Sequence, residues 1–285
     1  MFDISTMSEN PSNRKDHRPI GYLEAQKRFF VEIFENRRIV LSVFRHNYIY
    51  LHKDTWLGVV WIFVNPCIPI FIYNVLQYLD IFSSNYNGIP RAVYLTLSLT
   101  LYYTFSESLN GFTSFLSLNR TFLMSGGTSK SAVILATFLV PLSNFSIRLM
   151  LLAIILVLNG TVIDLNVVFL PIGCFLLMLL GASVGLILSV FNLISRDIAN
   201  LVSMISFYLL FASGIFGTIE PTNSFLQALM WSPVYIVIEG VRQLVFFGLE
   251  PNGLNVAIGL LAPIVLFSFS ITAFYRVEYR INSFL

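Results

Sequence analysis

The chain has 285 residues, of which 56% are hydrophobic and 11% are charged, and its mean hydropathy is +0.77. Soluble domains carry about 25% charged residues, so this composition excludes a soluble domain and indicates an integral membrane protein. The net charge of +2 is too small to indicate a protein that binds nucleic acid. Both cysteines, Cys67 and Cys174, lie inside apolar runs, which argues against a disulfide framework or a thiolate metal site.

The N-terminal part of the chain is polar and then amphipathic. Residues 1–25 lack the apolar core of a secretory signal, so they predict a flexible cytoplasmic N-terminus. Residues 26–52 predict an amphipathic helix in the cytoplasmic interface of a membrane, because large apolar residues recur there at helical spacing. These residues are Phe30, Phe34, Leu41, Phe44 and Tyr48. A helix that packs on a small cytosolic domain is the alternative.

Six apolar runs are long enough to cross a bilayer, whose core of about 30 Å needs about 20 helical residues. They cover residues 57–77, 92–117, 132–158, 167–191, 198–219 and 254–275. If the N-terminus is inside, fourteen Lys and Arg residues fall in cytoplasmic parts and two, Arg91 and Arg242, in outer loops. The positive-inside rule therefore predicts six spans with both termini in the cytoplasm, in an all-α fold.

The segment 220–253 is hydrophobic, but it does not fit a span. Pro221, Pro233 and Pro251 divide it into stretches that are too short to cross. We expect two short helices that enter the outer leaflet and return, a re-entrant hairpin whose backbone must be buried by protein or must line an aqueous cavity.

Charged residues are rare within the six runs, which contain one acid, Glu107, and one base, Arg148. Their depths in antiparallel segments allow them to pair, so a structural ion pair and a direct contact with substrate are both open. The segment 92–117 also carries nine Ser and Thr residues, which predicts that it lines a cavity or a subunit interface. Its aromatic residues suit stacking on sugar rings, although simple packing produces the same pattern. Gly181 and Gly185 form a GxxxG spacing that allows close helix packing, including at a dimer interface.

The chain has no GxxxxGK[ST] phosphate loop, so it is not expected to hydrolyse ATP. The cytoplasmic connection 118–130 contains an apolar patch, Phe122-Leu123-Met124, ahead of two glycines. A short helix that docks into the groove of a partner fits this pattern, and a plain surface turn fits it equally well.

Three short motifs resemble those of a known family. The first motif, LGxxWxxxNP, consists of Leu57-Gly58, Trp61 and Asn65-Pro66. The second is NLxxRD, which consists of Asn192-Leu193 and Arg196-Asp197. The third is the basic C-terminal ending, with Tyr279-Arg280 and Leu285. In their order and spacing they resemble the type-2 ABC transporter permeases that export polysaccharides, including the O-antigen, capsule and teichoic-acid exporters. The resemblance extends from about residue 25 to the end of the chain.

This resemblance implies a permease subunit with no covalent chemistry and no cofactor of its own. It implies a homodimer in the bacterial inner membrane, with two copies of a separate ATPase that hold ATP and Mg²⁺ beneath it. The expected cargo is a lipid-linked polysaccharide. We expect the substrate channel to include Trp61, Tyr73, Tyr102, Tyr103, Phe105, Glu107 and Arg148. We expect coupling to the ATPase at Arg120, Phe122, Leu123, Met124, Lys130, Arg196 and Asp197.

Two other functions remain open from the sequence. An ABC permease that exports a lipid or a small drug would have the same topology, with less need for an aromatic tunnel. An intramembrane acyl- or glycosyltransferase would need acid/base or metal-binding residues near the membrane surface. Glu107 is the one acid within the runs, and the acids of the loops, such as Asp164 and Glu250, show no paired spacing.

Overall fold

A computed structural model describes residues 22–49, 58, 60–79, 85–86, 88–124, 129–160, 165–217, 223–248 and 252–284. The first half of this part contains α1 (Tyr22–Glu35), α2 (Arg37–Tyr48), α3 (Val60–Tyr78), β1 (Asn85–Tyr86), β2 (Ile89–Pro90), α4 (Arg91–Thr113), α5 (Phe115–Leu118) and α6 (Arg120–Met124). The second half contains α7 (Lys130–Leu158), a 3₁₀ turn (Leu165–Val168), α8 (Phe169–Ile194), α9 (Asp197–Ala212), α10 (Ser224–Met230), α11 (Pro233–Arg242), a π turn (Gln243–Phe247) and α12 (Gly253–Phe284). The two short strands pair antiparallel, with Asn85 opposite Pro90. The fold is thus all-α, as the sequence predicts.

Each of the six apolar runs contains a long helix in the structure: α3, α4, α7, α8, α9 and α12. Within the described residues, three helices are long and apolar enough to cross a membrane: Lys130–Leu158, Asn166–Ile194 and Gly253–Arg276. Val60–Leu76 and Asp197–Ala212 are apolar but shorter. The chain is therefore a multi-pass membrane protein, and the count of six spans stays a prediction.

The segment 220–253 contains two short helices, as expected. Pro233 occupies the first turn of α11, where its missing N–H costs nothing, and Ser232 separates α11 from α10. Glu220, Pro221 and Pro251 lie outside the described residues. The re-entrant position of these helices in the membrane remains a prediction.

The N-terminal segment is helical, but it forms two helices where the sequence predicted one. The break is at Asn36, whose backbone leaves helical geometry and whose side-chain amide donates to the carbonyl oxygen of Glu32 at 2.9 Å. Helix α1 packs on α12, where the rings of Phe29 and Phe267 lie 6.2 Å apart. Helix α2 buries Val40 and Val43, and it packs on α7.

The predicted apolar side of this segment is only partly the buried side. Leu41 is 56% exposed, whereas Phe44 and Tyr48 are half-buried. The helical phase therefore differs from the prediction, because Val40 and Val43 carry the contact with the core. The side chains of Phe30 and Phe34 lie outside the described residues, as do residues 1–21 and 50–52. Placement in the membrane interface stays a prediction.

Helix α4 lies at the centre of the bundle and contacts α3, α7, α8, α9 and α11. Most of its hydroxyl groups are buried and bond to its own backbone: Ser98, Thr100, Thr104 and Thr113 each donate to the carbonyl oxygen four residues earlier, at 2.7–2.8 Å. These four hydroxyls are satisfied within the helix, so they are not themselves evidence for a cavity, and the lining role predicted for this segment stays a prediction.

The GxxxG spacing joins α8 to α4 within one chain. A Cβ atom added at Gly181 would lie 2.6 Å from the carbonyl oxygen of Phe105. A Cβ atom at Gly185 would lie 2.7 Å from the carbonyl oxygen of Leu109. The two backbones are too close for any side chain, so these glycines serve packing inside the subunit and are not evidence for a dimer.

Candidate transport site and coupling surface

One face of α4 remains accessible, and it is polar. Between residues 93 and 116 every residue is buried except Tyr103, Ser106, Glu107, Asn110, Gly111 and Ser114. These positions repeat at intervals of three and four residues, so they lie on one side of the helix. We call them the α4 stripe. Asn110 donates to the hydroxyl of Ser206 on α9 at 3.1 Å, and Glu107 accepts from Asn144 on α7 at 3.1 Å. The stripe therefore faces outward from the bundle between α7 and α9.

Glu107 and Arg148 form an ion pair in the structure. The Arg148 side chain is 1% exposed, and the Glu107 side chain is 27% exposed. Arg148 Nε also donates to the carbonyl oxygen of Pro66 on α3 at 3.3 Å, and the guanidinium lies over the Tyr103 ring, 5.6 Å from its centre. Its Nη1 makes no hydrogen bond within the described residues. The pairing predicted as one possibility is thus present, and it joins α3, α4 and α7.

Tyr48 connects the N-terminal helices to this ion pair. Its hydroxyl donates to Asn144 Oδ1 at 2.9 Å, and the amide group of Asn144 donates in turn to Glu107. Burial, and to a smaller extent the nearby Glu107 carboxylate, raise the pKa of Tyr48 to about 12. The hydroxyl therefore keeps its proton at neutral pH and acts as a donor to Asn144.

The other predicted channel residues fall into two groups. Tyr102 and Phe105 belong to the hydrophobic core, and the Tyr102 hydroxyl donates to the backbone carbonyl of Ser206. Trp61 and Tyr73 on α3 are partly exposed, and Tyr73 packs against Phe216 with ring centres 5.4 Å apart. The accessible aromatic residues of the predicted set are therefore Trp61, Tyr73 and Tyr103.

The predicted coupling residues lie on three neighbouring elements. Arg120, Arg196 and Asp197 are exposed, and Lys130 is partly exposed at the start of α7. Leu123 is buried in the core, so it anchors α6 and does not present a free apolar surface. Phe122 packs edge-on against His46, with ring centres 5.1 Å apart. The side chain of Met124 and residues 125–128 lie outside the described residues.

Asparagine side chains hold these elements together. Asn47 at the end of α2 donates to Asn119 Oδ1, between α5 and α6, at 2.9 Å. Asn192 at the end of α8 accepts from the backbone N–H of Ala199 at 3.1 Å and donates to the hydroxyl of Ser117 at 3.4 Å. The stretch from α5 to α6, residues 115–124, is thus bonded on one side to α2 and on the other to the α8–α9 corner. We call residues 115–124 the coupling segment.

Sequence reasoning missed a second buried ion pair, Arg242 with Glu239 on α11. Arg242 is 1% exposed and also donates to the Tyr94 hydroxyl at 2.6 Å and to the carbonyl oxygen of Gly214 at 2.7 Å. Arg242 is therefore not a solvated residue of a connection: it fastens α11 to α4, and its predicted place on the outer side stays a prediction. The i, i+3 spacing of Glu239 and Arg242 on a helix was the available signal.

The motifs of the resemblance are only partly described. Pro66 lies inside α3, and Asn192, Arg196 and Asp197 form the α8–α9 corner. Leu57, Leu285 and the side chains of Tyr279 and Arg280 are outside the described residues. Within the described part of the chain, no three His, Cys, Asp or Glu side chains lie together in a group that could hold a metal ion.

The long apolar helices define a multi-pass membrane protein, and comparison with known families specifies the kind. Residues 40–246 match the ABC-2 type transporter family, and the chain belongs to that family. Its members are the membrane permeases of ABC transporters and act with an ABC ATPase subunit. One relative is the O-antigen export system permease protein RfbA of Myxococcus xanthus, which is 23% identical over 172 residues. That match covers 60% of this chain and 65% of the relative.

Proposed function

We propose that this chain is the channel-forming subunit of an exporter that moves a lipid-linked polysaccharide across the bacterial inner membrane. The α4 stripe carries this proposal. In a helix whose other residues are buried, it presents an aromatic ring, a carboxylate, an amide and hydroxyls on a single face. Such a face suits a sugar chain, whose C–H faces stack on aromatic rings and whose hydroxyls exchange hydrogen bonds. The similarity to an O-antigen export permease supports the same cargo.

Two copies of the chain would complete the path. A charged and polar face such as the α4 stripe is unfavourable against lipid, so in the assembled protein it must meet water, cargo or another polypeptide. In a homodimer, the stripe of each subunit would line the space between the two. Both termini would lie in the cytoplasm, and two ATPase subunits would bind ATP and Mg²⁺ beneath the coupling segment. This chain then performs no chemical step.

The first test concerns Tyr103, the accessible aromatic residue of the stripe. Replacing Tyr103 by Ala should lower surface polysaccharide about two- to tenfold, because one aromatic contact contributes about 0.5–1.5 kcal/mol. Replacing Tyr103 by Phe keeps the ring and should preserve export. The measurement is surface polysaccharide at equal amounts of detergent-stable protein, in cells that make the chain together with its ATPase.

Tyr78 supplies the matched control for this test. It lies at the end of α3 and is 88% exposed, so Tyr78→Ala removes the same atoms away from the stripe and should leave export unchanged. If surface polysaccharide in Tyr103→Ala falls only in proportion to the amount of detergent-stable protein, Tyr103 serves packing and does not contact the cargo. The polysaccharide path along α4 would then be abandoned.

A second test locates the ATPase. A photo-crosslinking residue placed at the exposed positions Arg120 or Arg196 should form a covalent product with the ATPase subunit. Arg120 lies in the coupling segment, and Arg196 lies at the α8–α9 corner that is bonded to it. The same group at Tyr78, at the other end of the helical bundle, should give none. Mass spectrometry of the purified complex reads out the product. Crosslinks from Tyr78 in place of Arg120 would show that the proposed orientation is inverted.

A further inference from the structure

The last turn of α2 contacts two functional regions through neighbouring residues. Asn47 bonds to Asn119 in the coupling segment, and Tyr48 bonds to Asn144 beside the ion pair, each at 2.9 Å. Successive residues on a helix point about 100° apart, so one rigid turn can hold a partner on each of two sides. Val43 and Val40, one and two turns earlier, are buried against the bundle and fix the position of this turn.

The contact with the coupling segment is well defined. Asn119 is 1% exposed, and its own amide group donates to the carbonyl oxygen of Phe115 at 2.9 Å. Its side-chain oxygen is therefore held toward Asn47. His46, also in the last turn of α2, packs against Phe122 in α6. A displacement of the coupling segment would thus act directly on the end of α2.

The contact with the membrane core follows a continuous chain of hydrogen bonds. Tyr48 donates to Asn144, Asn144 donates to Glu107, and Glu107 pairs with Arg148. Arg148 then donates to the carbonyl oxygen of Pro66 in α3. Asn144 and Arg148 are one turn apart on α7, so the chain runs from α2 through α7 and α4 to α3 without a gap.

We propose that Asn47 and Tyr48 are positioning residues that transmit movement of the coupling segment to the Glu107–Arg148 pair and to α3. This inference rests on the proposed function in one respect, since it takes an ATPase to act on the coupling segment. Coupling between distant sites requires packed or hydrogen-bonded elements that move together, and the end of α2 supplies such an element. The last turn of α2 is thereby assigned a role in transport, whatever the cargo.

The native cysteine Cys67 provides a reporter of the far end of this path. Cys67 follows Pro66 in α3 and is partly exposed, whereas Cys174 is buried. The experiment uses the complex with its ATPase in lipid vesicles and measures the rate at which a small membrane-permeant maleimide modifies Cys67, with and without ATP. A Cys67→Ala variant gives the background rate.

Two substitutions interrupt the path at α2. Tyr48→Phe removes one hydroxyl and keeps the ring, which stacks on Phe44 at 5.2 Å, and Asn47→Ala removes the bond to Asn119. In the unaltered complex, ATP should change the rate at which the maleimide modifies Cys67. Each variant should reduce this ATP-dependent change about three- to tenfold, because one neutral hydrogen bond shifts an equilibrium by about that factor. The rate without nucleotide, and assembly with the ATPase, should stay the same. Tyr78→Phe is the matched control and should respond to ATP like the unaltered protein.

The possible results separate this inference from the proposed cargo. If ATP changes the modification rate of Cys67 equally in both variants and in the unaltered complex, transmission through α2 is overturned. It is also overturned if ATP does not change the modification rate of Cys67 in the unaltered complex. If ATP changes the Cys67 rate through Tyr48 but the complex moves no polysaccharide, the proposed cargo fails and the transmission stands.

Discussion

Replacing Glu107 by Leu should destabilise the protein by about 3–5 kcal/mol, the usual cost of removing one partner from a buried ion pair. Arg148 is 1% exposed, so the substitution would leave a buried guanidinium without a counter-ion. Arg148→Leu should cost less, because the Glu107 carboxylate is partly exposed and can become neutral by taking up a proton. The thermal unfolding midpoint of the purified protein in detergent measures both effects.

The double variant Glu107→Leu/Arg148→Leu should be more stable than Glu107→Leu alone, since it leaves no unpaired charge. Ser106→Leu provides a control, because it adds the same side chain to the next position of the α4 stripe without removing a charge. Additive effects of the two single substitutions would contradict a coupled pair.

Replacing Gly185 by Ala should destabilise the protein by about 1–3 kcal/mol, the typical cost of forcing extra volume into a packed interior. The new Cβ atom would lie 2.6 Å from Phe112 Cβ and 2.7 Å from the carbonyl oxygen of Leu109, so the backbones of α4 and α8 would have to separate. The yield of detergent-stable protein and its unfolding midpoint should both fall.

Gly259 on α12 offers the same substitution without the clash. A Cβ atom there would lie 3.5 Å from Ile236 Cγ2, an ordinary contact. Gly259→Ala should therefore be neutral or stabilising, by up to about 1 kcal/mol, as expected for Ala in place of Gly within a helix. Equal stability of the two variants would show that α4 and α8 do not approach as closely as described.

The six helices and the central ion pair could be predicted from the sequence for a simple physical reason. A bilayer imposes a minimum length on apolar helices and a high cost on charges, so long apolar runs and isolated charged residues carry unusually clear information. Glu107 and Arg148 were the two charged residues within the runs, and pairing them required no knowledge of the fold. The family followed from Asn65-Pro66, Asn192 and their neighbours, and residues 40–246 match it.

The polar content of α4 was harder to interpret, because a hydroxyl in a helix has two possible partners. The hydroxyls of Thr100 and Thr104 donate to their own helix backbone, whereas the hydroxyl of Ser108 donates to the carbonyl oxygen of Met178 on α8. A sequence shows that a hydroxyl is present, but it does not show which carbonyl oxygen accepts its hydrogen bond. For the same reason the GxxxG spacing showed that two helices approach closely, but not that the partner helix is α4 of the same chain.

The phase of α2 and the role of Arg242 depended on tertiary contacts. Val43 is buried and Leu41 exposed because α7 lies on one particular side of α2, and both residues have similar hydrophobicity. The sequence predicts a short helical hairpin around Arg242, but it does not show that this segment packs on α4, where Arg242 donates to the Tyr94 hydroxyl. Local patterns cannot supply this information, since it depends on residues that are distant in the chain: 96 positions separate Tyr48 from Asn144, and 148 separate Arg242 from Tyr94.

The order of the ion pair along the chain has a consequence for biosynthesis. Glu107 precedes Arg148 by 41 residues, and at about 5–20 residues per second the ribosome needs about 2–8 s to add the partner. During that interval the carboxylate of α4 has no counter-ion from α7. The nascent α4 must therefore wait in a hydrated environment beside the insertion machinery, or enter lipid with Glu107 protonated. The α4–α7 hairpin, and not the single helix, is accordingly the smallest unit that can leave the insertion site with Glu107 ionised and paired to its counter-ion.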